Sequence, residues 1–312
     1  PKPFWLKAKA ARVLTPRTMA CAGRTSVCAI ALVGLACGSS VVNPFSGKCL
    51  DVEGQSSTDE ARITLQGCSD SESQRWQLVE DGALLNFKSG KCLDIQGGSG
   101  LTGVWDGTPM ILFTCNGGDN QKWVYGDGLI TNPSSDKCLD IEGENKKEGT
   151  KVIIYGCHEG ENQRWGFSVV MTMMAPAYGK CLDIQDGNMD DGSSAVIWTC
   201  NGAKEQQWMY VNGVIINPKS GKCLDVKDQS TEDGASVILW TCNGGENQRW
   251  TDTGGAFVNP ASGKCLDIYR EGTSDGTQVI LYSCHGSPNQ NWMLFGNVKR
   301  TAVASGGGRQ EL

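Results

Sequence analysis

Histidine is almost missing from this 312-residue chain: there are two, His158 and His285, and no two of the 15 Cys stand in Cys-x-x-Cys spacing. Structural zinc sites need Cys and His in close-set pairs, so metal-thiolate centres are disfavoured by this spacing and no metal or other cofactor is expected. The longest apolar run, Val27 to Ala36, falls well short of the roughly 20 residues a helix needs to span a bilayer, so no membrane insertion is expected. No triplet permits N-glycosylation, since Asn132 is followed by Pro133. Aromatic residues make up 7% and charged residues 20%, while 41 positions are Gly. That balance suits a turn-rich β protein, and no segment carries a sustained 3.6-residue apolar period.

The net charge of -6 is unevenly spread. Residues 1 to 40 hold six Lys or Arg and no acid, leaving 22 bases against 34 acids and a net of -12 for the rest. A chain so acidic repels phosphate backbones and anionic lipid, which makes nucleic acid an unfavourable partner. From Met19 the order is Arg24, an apolar run, then the small residues Cys37, Gly38 and Ser39. This reads as a secretory leader within residues 1–38, removed near Gly38, with an Arg-rich organelle presequence as the rival; a secreted, extracellular protein is expected. Residues 297–312, with Ser305 and three following Gly, read as a flexible tail.

What is present is a repeat. Cys-Leu-Asp begins at Cys49, Cys92, Cys138, Cys181, Cys223 and Cys265, and each copy ends in Gln-x-Trp at Trp76, Trp123, Trp165, Trp208, Trp250 and Trp292. Successive Trp positions are 47, 42, 43, 42 and 42 apart, so a unit of about 42 residues recurs six times. Twelve Cys fall two per unit, 19 apart except for Cys92 and Cys115, which are 23 apart. The even count predicts bridges Cys49–Cys68, Cys92–Cys115, Cys138–Cys157, Cys181–Cys200, Cys223–Cys242 and Cys265–Cys284, and with them an oxidising compartment.

Each unit reads as about four short strands joined by tight turns. Asp81-Gly82, Asp127-Gly128 and Asn212-Gly213 lie between apolar runs and predict type I′ hairpins, whose two central residues both need positive φ. One such unit cannot bury its own apolar face, so units pack together, and closure by threes is favoured over a linear solenoid because no terminal unit looks like a polar cap. The core is expected from the six repeat-end Trp, the Leu after each first Cys, and the Ile or Leu three residues before each second Cys.

With the units set out, residues 40 to 296 resemble the ricin B-type lectin family, the β-trefoils marked by a Gln-x-Trp at the end of each subdomain. The resemblance implies an all-β chain of two tandem β-trefoils, residues 39–168 (repeats one to three) and 169–296 (repeats four to six). In that family a sugar pocket is formed by the Asp of Cys-x-Asp, an aromatic two residues before the second Cys, and the Asn-Gln before the final Trp. An ionised Asp accepts hydrogen bonds from vicinal hydroxyls, a ring faces the C–H side of a pyranose, and Asn adds a donor and an acceptor. Nothing in such a set transfers a proton or attacks a bond, so no catalytic residue and no enzyme activity is expected.

Transferred residue by residue, the pattern is complete in four repeats. The second has Asp94, Phe113, Asn120 and Gln121; the third has Asp140, Tyr155, Asn162 and Gln163. The fifth has Asp225, Trp240, Asn247 and Gln248; the sixth has Asp267, Tyr282, Asn289 and Gln290. The fourth keeps Asp183 and Trp198 but has Glu205 before Gln206, and the first has Gln66 and Ser73 in place of the aromatic and the Asn. The position four before the second Cys, often Gln in relatives, is Thr64, Ile111, Ile153, Val196, Ile238 or Ile280, so sugar identity does not carry over. The implied function is a multivalent lectin that recognises galactose-like sugars on glycans and glycoproteins and cross-links them. The alternative is a targeting module, for xylan or galactan, of a larger hydrolase or toxin. Some relatives use calcium near the sugar, for which Asp186, Asp190 and Asp191 are nearby acids.

Overall fold

The computed structural model describes residues 38–98 and 104–296. The expected leader and tail lie outside the described residues. The described chain is β structure with three-residue 3-10 turns, and its 24 strands form two 12-stranded sheets, one between Ser39 and Ser168 and one between Met171 and Gly296. That is four strands per repeat. Among the described residues no helix is long and apolar enough to cross a membrane.

Every repeat is built on one antiparallel pair: the Cys-Leu-Asp strand and the strand that leads to the second Cys, as in Lys222–Val226 with Ala235–Thr241. The register sets Cys223 opposite Trp240 and Asp225 opposite Ile238, and the same offsets recur in the other five repeats. Two-residue alternation then decides the faces: the Leu of Cys-Leu-Asp points into the core while Cys and Asp face away from it. All six bridges form as expected, joining the two strands of each pair.

Closure by threes follows from the pairing. Strand Ser39–Asn43 pairs with Gly166–Ser168, and Met171–Ala175 pairs with Met293–Gly296, so the first and last strands of each three-repeat set meet. In each set the strands before the second Cys also touch one another, Ala61–Gly67 and Val152–Gly156 both bridging to Thr108–Phe113, for example. The fold is two tandem β-trefoils.

Two separate apolar cores fill them. Trp76, Trp123 and Trp165 with Leu50, Leu93 and Leu139 anchor the first; Trp208, Trp250 and Trp292 with Leu182, Leu224 and Leu266 anchor the second. Each Trp is no more than 1% exposed, and its Nε1 donates to the carbonyl of the Leu in its own Cys-Leu-Asp at 3.0–3.1 Å. A buried indole is thereby satisfied, and the two ends of each repeat are tied together. A third cluster, with Val42, Met209, Val211, Val214 and Ile216, joins residues of both sheets.

The turns divide. At Asp127-Gly128 and Asn212-Gly213 both residues have positive φ, as type I′ requires. At Asp81-Gly82 the expectation fails: only Gly82 has positive φ, its N–H reaches back to the Val79 carbonyl, and Asp81 caps the Ala83 amide at 3.0 Å. The side-chain cap gives Asp81 a partner without the left-handed conformation. The Asn-Pro turns also do more than turn the chain. Buried Asn132, Asn217 and Asn259 each donate to two carbonyls of the preceding Gln-x-Trp segment, and Asn43 donates to the Glu161 and Arg164 carbonyls of the last such segment of the first trefoil, across its closure.

Candidate functional site

The Gln of Gln-x-Trp fixes the Asp of Cys-Leu-Asp. In all six repeats its Nε2 donates to the Asp Oδ2 at 2.6–2.8 Å. The same Nε2 reaches the carbonyl of the residue before the second Cys, and its Oε1 accepts the N–H of the residue after that Cys. The Gln that the family pattern sets in the pocket is thus spent on buried backbone and on the carboxylate. This explains why Asp51 persists in the first repeat: Gln74 needs it.

Asn120 and Asn162 donate to the other oxygen of Asp94 and Asp140 at 2.8 Å, and Asn289 donates to Asp267 at 2.9 Å. In the fifth repeat the Asn247 amide instead bonds the Val226 carbonyl. These Asn are buried, so their first role is to orient the carboxylate from behind rather than to offer both amide groups outward. Where Ser73 replaces the Asn, the buried Asp51 Oδ1 has no partner.

Above this floor stand the aromatics. Tyr155, Trp198, Trp240 and Tyr282 are 36–41% exposed, and Phe113 is half-buried. Each lies across the ladder from the first Cys, one pleat along from the Asp. The residues opposite the Asp, Ile111, Ile153, Val196, Ile238 and Ile280, are buried and offer no polar group. The two histidines belong to these sites: His158 and His285 place Nε2 3.3 Å from Oδ2 of Asp140 and Asp267, while Nδ1 accepts a backbone N–H from Gly160 and Ser287. The second and fifth repeats have Asn116 and Asn243 there.

Burial pushes the carboxyls of Asp94, Asp140, Asp183 and Asp267 above their ordinary range, with the amide donors partly opposing it. Asp225 is pushed up to about 6 by the same desolvation. In the fourth repeat Glu205 forms an ion pair with Lys219 at 2.6 Å, which holds its carboxyl below the usual range, and Asp183 Oδ1 turns to the Ile184 amide. The structure therefore brings together every expected set in repeats two, three, five and six, and places a charged pair where the fourth lacks its Asn.

Sequence reasoning missed a second set of acids. Asp59, Asp106, Asp191, Asp233 and Asp275 each cap the amide of the residue before the second Cys of a different repeat and pair with the Lys before that repeat's first Cys, at 2.5–3.0 Å. In the second trefoil they run from repeat four to five, five to six and six to four, closing a ring. The Lys91, Lys137, Lys264 and Lys180 ammoniums hold Asp59, Asp106, Asp233 and Asp275 below the usual carboxylate range. The signal was available: an acid stands nine residues before every second Cys, and a Lys directly before every first. Asp191 is thus engaged by Lys222 and Thr241, and among the described residues no group of three or more acidic, His or Cys side chains is placed to hold a metal.

A profile of the ricin-type β-trefoil lectin domain matches residues 38–165, 80–208 and 169–292. The chain belongs to this family. It is a carbohydrate-binding lectin, and glycans are its partners. Among solved structures, this lectin is similar to the designed three-fold symmetric protein ThreeFoil, 38% identical over 40% of this chain and 97% of that one, with a TM-score of 0.38. It is also similar to the agglutinin from Abrus precatorius, at 23% identity over 82% of this chain and 95% of that one, TM-score 0.46. A third is a non-toxic homologue of type II RIPs from Momordica charantia, in complex with α-methyl-D-galactoside, at 20% identity over 82% and 96%, TM-score 0.43. A comparison with curated proteins returns no match.

Proposed function

We propose that this lectin is a secreted, non-catalytic, multivalent binder of galactose-like sugars that cross-links glycoconjugates through the pockets of repeats two, three, five and six. The observation that carries this reading is the repeated pairing of an exposed ring, Tyr155, Trp240 or Tyr282, with a carboxylate held rigid by Gln, and in the third and sixth repeats also backed by Asn. A carboxylate fixed in advance loses no freedom when it accepts two sugar hydroxyls, and the ring supplies a flat apolar wall. Six formed disulfides support an extracellular setting. Pockets on both trefoils support cross-linking, because linked weak sites gain roughly 100- to 10,000-fold in avidity. Each pocket carboxylate sits in its own repeat, which supports binding without bond cleavage.

A glycan array probed with the native protein tests the reading. Binding is expected to terminal galactosides, unchanged by chelator and without release of reducing sugar; binding confined to xylan oligosaccharides, or sugar release, would replace it. The fourth pocket gives a sharper test of the residue pattern. Glu205→Asn removes the charge paired with Lys219 and supplies the amide found in the complete repeats. Calorimetric titration with methyl galactoside is expected to count four sites in the natural protein and five in the variant; an unchanged count would show that the Asn position does not decide occupancy.

A further inference from the structure

Trp105 is the most exposed large apolar side chain among the described residues, 75% accessible, and the sugar pockets as described leave it unused. It lies ten residues before Cys115, where the other repeats have Thr58, Lys147, Asp190, Glu232 and Ser274. Its turn belongs to repeat two but serves repeat three. The next residue, Asp106, caps the Gly156 amide at 2.8 Å and pairs with Lys137 at 2.5 Å, and Gly107 donates to the Ile154 carbonyl at 2.9 Å. Those contacts bracket Tyr155, the ring of the third pocket. The Trp105 carbonyl is itself held by the amide and hydroxyl of Thr108, at 3.1 and 2.7 Å. In the equivalent turns of the second trefoil a Cβ at Gly192 would lie 3.9 Å from the Trp240 ring and one at Gly276 3.7 Å from the Trp198 ring, whereas at Gly107 nothing lies within 4 Å, so the space beside this turn is open.

We infer that Trp105 is a second sugar platform at the rim of the third pocket, so that this pocket binds the terminal ring and the adjoining ring of an oligosaccharide, whereas the other three bind a terminal ring alone. The inference rests on the third pocket being a sugar site. A large ring carried on a turn that these five backbone and side-chain contacts hold leaves little backbone freedom to lose when a pyranose stacks on it, and stacked aromatic contacts are worth about 0.5–1.5 kcal/mol. No other repeat has an aromatic at this position, so the selectivity would be confined to one site.

The test uses the full chain with Phe113, Trp198, Trp240 and Tyr282 all changed to Ala, which leaves Tyr155 as the sole pocket ring, with and without Trp105→Ala. Affinities for methyl galactoside and for lactose are measured by calorimetry, with circular dichroism as the fold control. Trp105→Ala is expected to weaken lactose about 2- to 13-fold, the change that a contact of this size produces, and to leave methyl galactoside unchanged. If both sugars are unaffected, or both weaken by the same factor, the second platform does not exist. If the Tyr155-only protein binds neither sugar, the pocket reading itself fails and takes this inference with it.

Discussion

A protein with Phe113, Tyr155, Trp240 and Tyr282 all changed to Ala is expected to keep its fold and to lose agglutination of galactose-bearing cells. Three of these rings are about 40% exposed and the fourth is half-buried, so truncating them leaves little cavity and costs little stability. Each change removes the apolar wall of one pocket. Because avidity multiplies across linked sites, losing all four is expected to lower binding to a galactoside surface by more than about 100-fold. Surface plasmon resonance and a thermal melt check both halves; agglutination at the natural titre would rule out the rings as ligand platforms. Changing Asp225 and Asp267 together reads less cleanly. Each Asp is bonded to Gln248 or Gln290, so its loss also strips a buried amide of a partner, at about 1–3 kcal/mol per group.

The second large effect lies in the scaffold. Trp250→Ala is expected to destabilise the protein by about 3–5 kcal/mol, the range for removing a large buried aromatic. The indole is fully buried, donates to the Leu224 carbonyl at 3.0 Å, and packs with Trp208 and Trp292 in the second core. Chemical denaturation followed by circular dichroism measures the shift, and a cost below about 1 kcal/mol would contradict a core role for the repeat-end Trp. Trp240→Ala, ten residues earlier on the exposed side, is the matched control: same residue type, same repeat, small effect on stability and large effect on binding.

Much of this was legible because the chain repeats itself. The pairing of Cys within units, four strands per unit and closure by threes all follow from a 42-residue period with two Cys and one Gln-x-Trp in each copy. The rings and carboxylates were legible for the same reason, since comparing copies separates what always recurs from what is lost in the first repeat. What escaped were relations between copies. That Asp106 of repeat two holds Gly156 of repeat three depends on how units are arranged around the axis, a contact 50 residues apart in sequence. The left-handed pair expected at Asp81-Gly82 failed because a local side-chain cap outweighed the dipeptide preference.

Composition, spacing and period by themselves determined the all-β class and the disulfide scheme, because these depend on alternation and loop length within one unit, while the pocket residues are what the resemblance to the ricin B-type family implies. The tertiary structure decided how the pocket parts are wired. It turned Gln and Asn onto the Asp, set the acids of one repeat against the Lys of the next, and left Trp105 standing beside a pocket of another repeat. The acid–Lys pairs join segments of different repeats that meet only when the units close, whereas the Gln and Asn bonds to Asp form within one repeat once its ends are folded together.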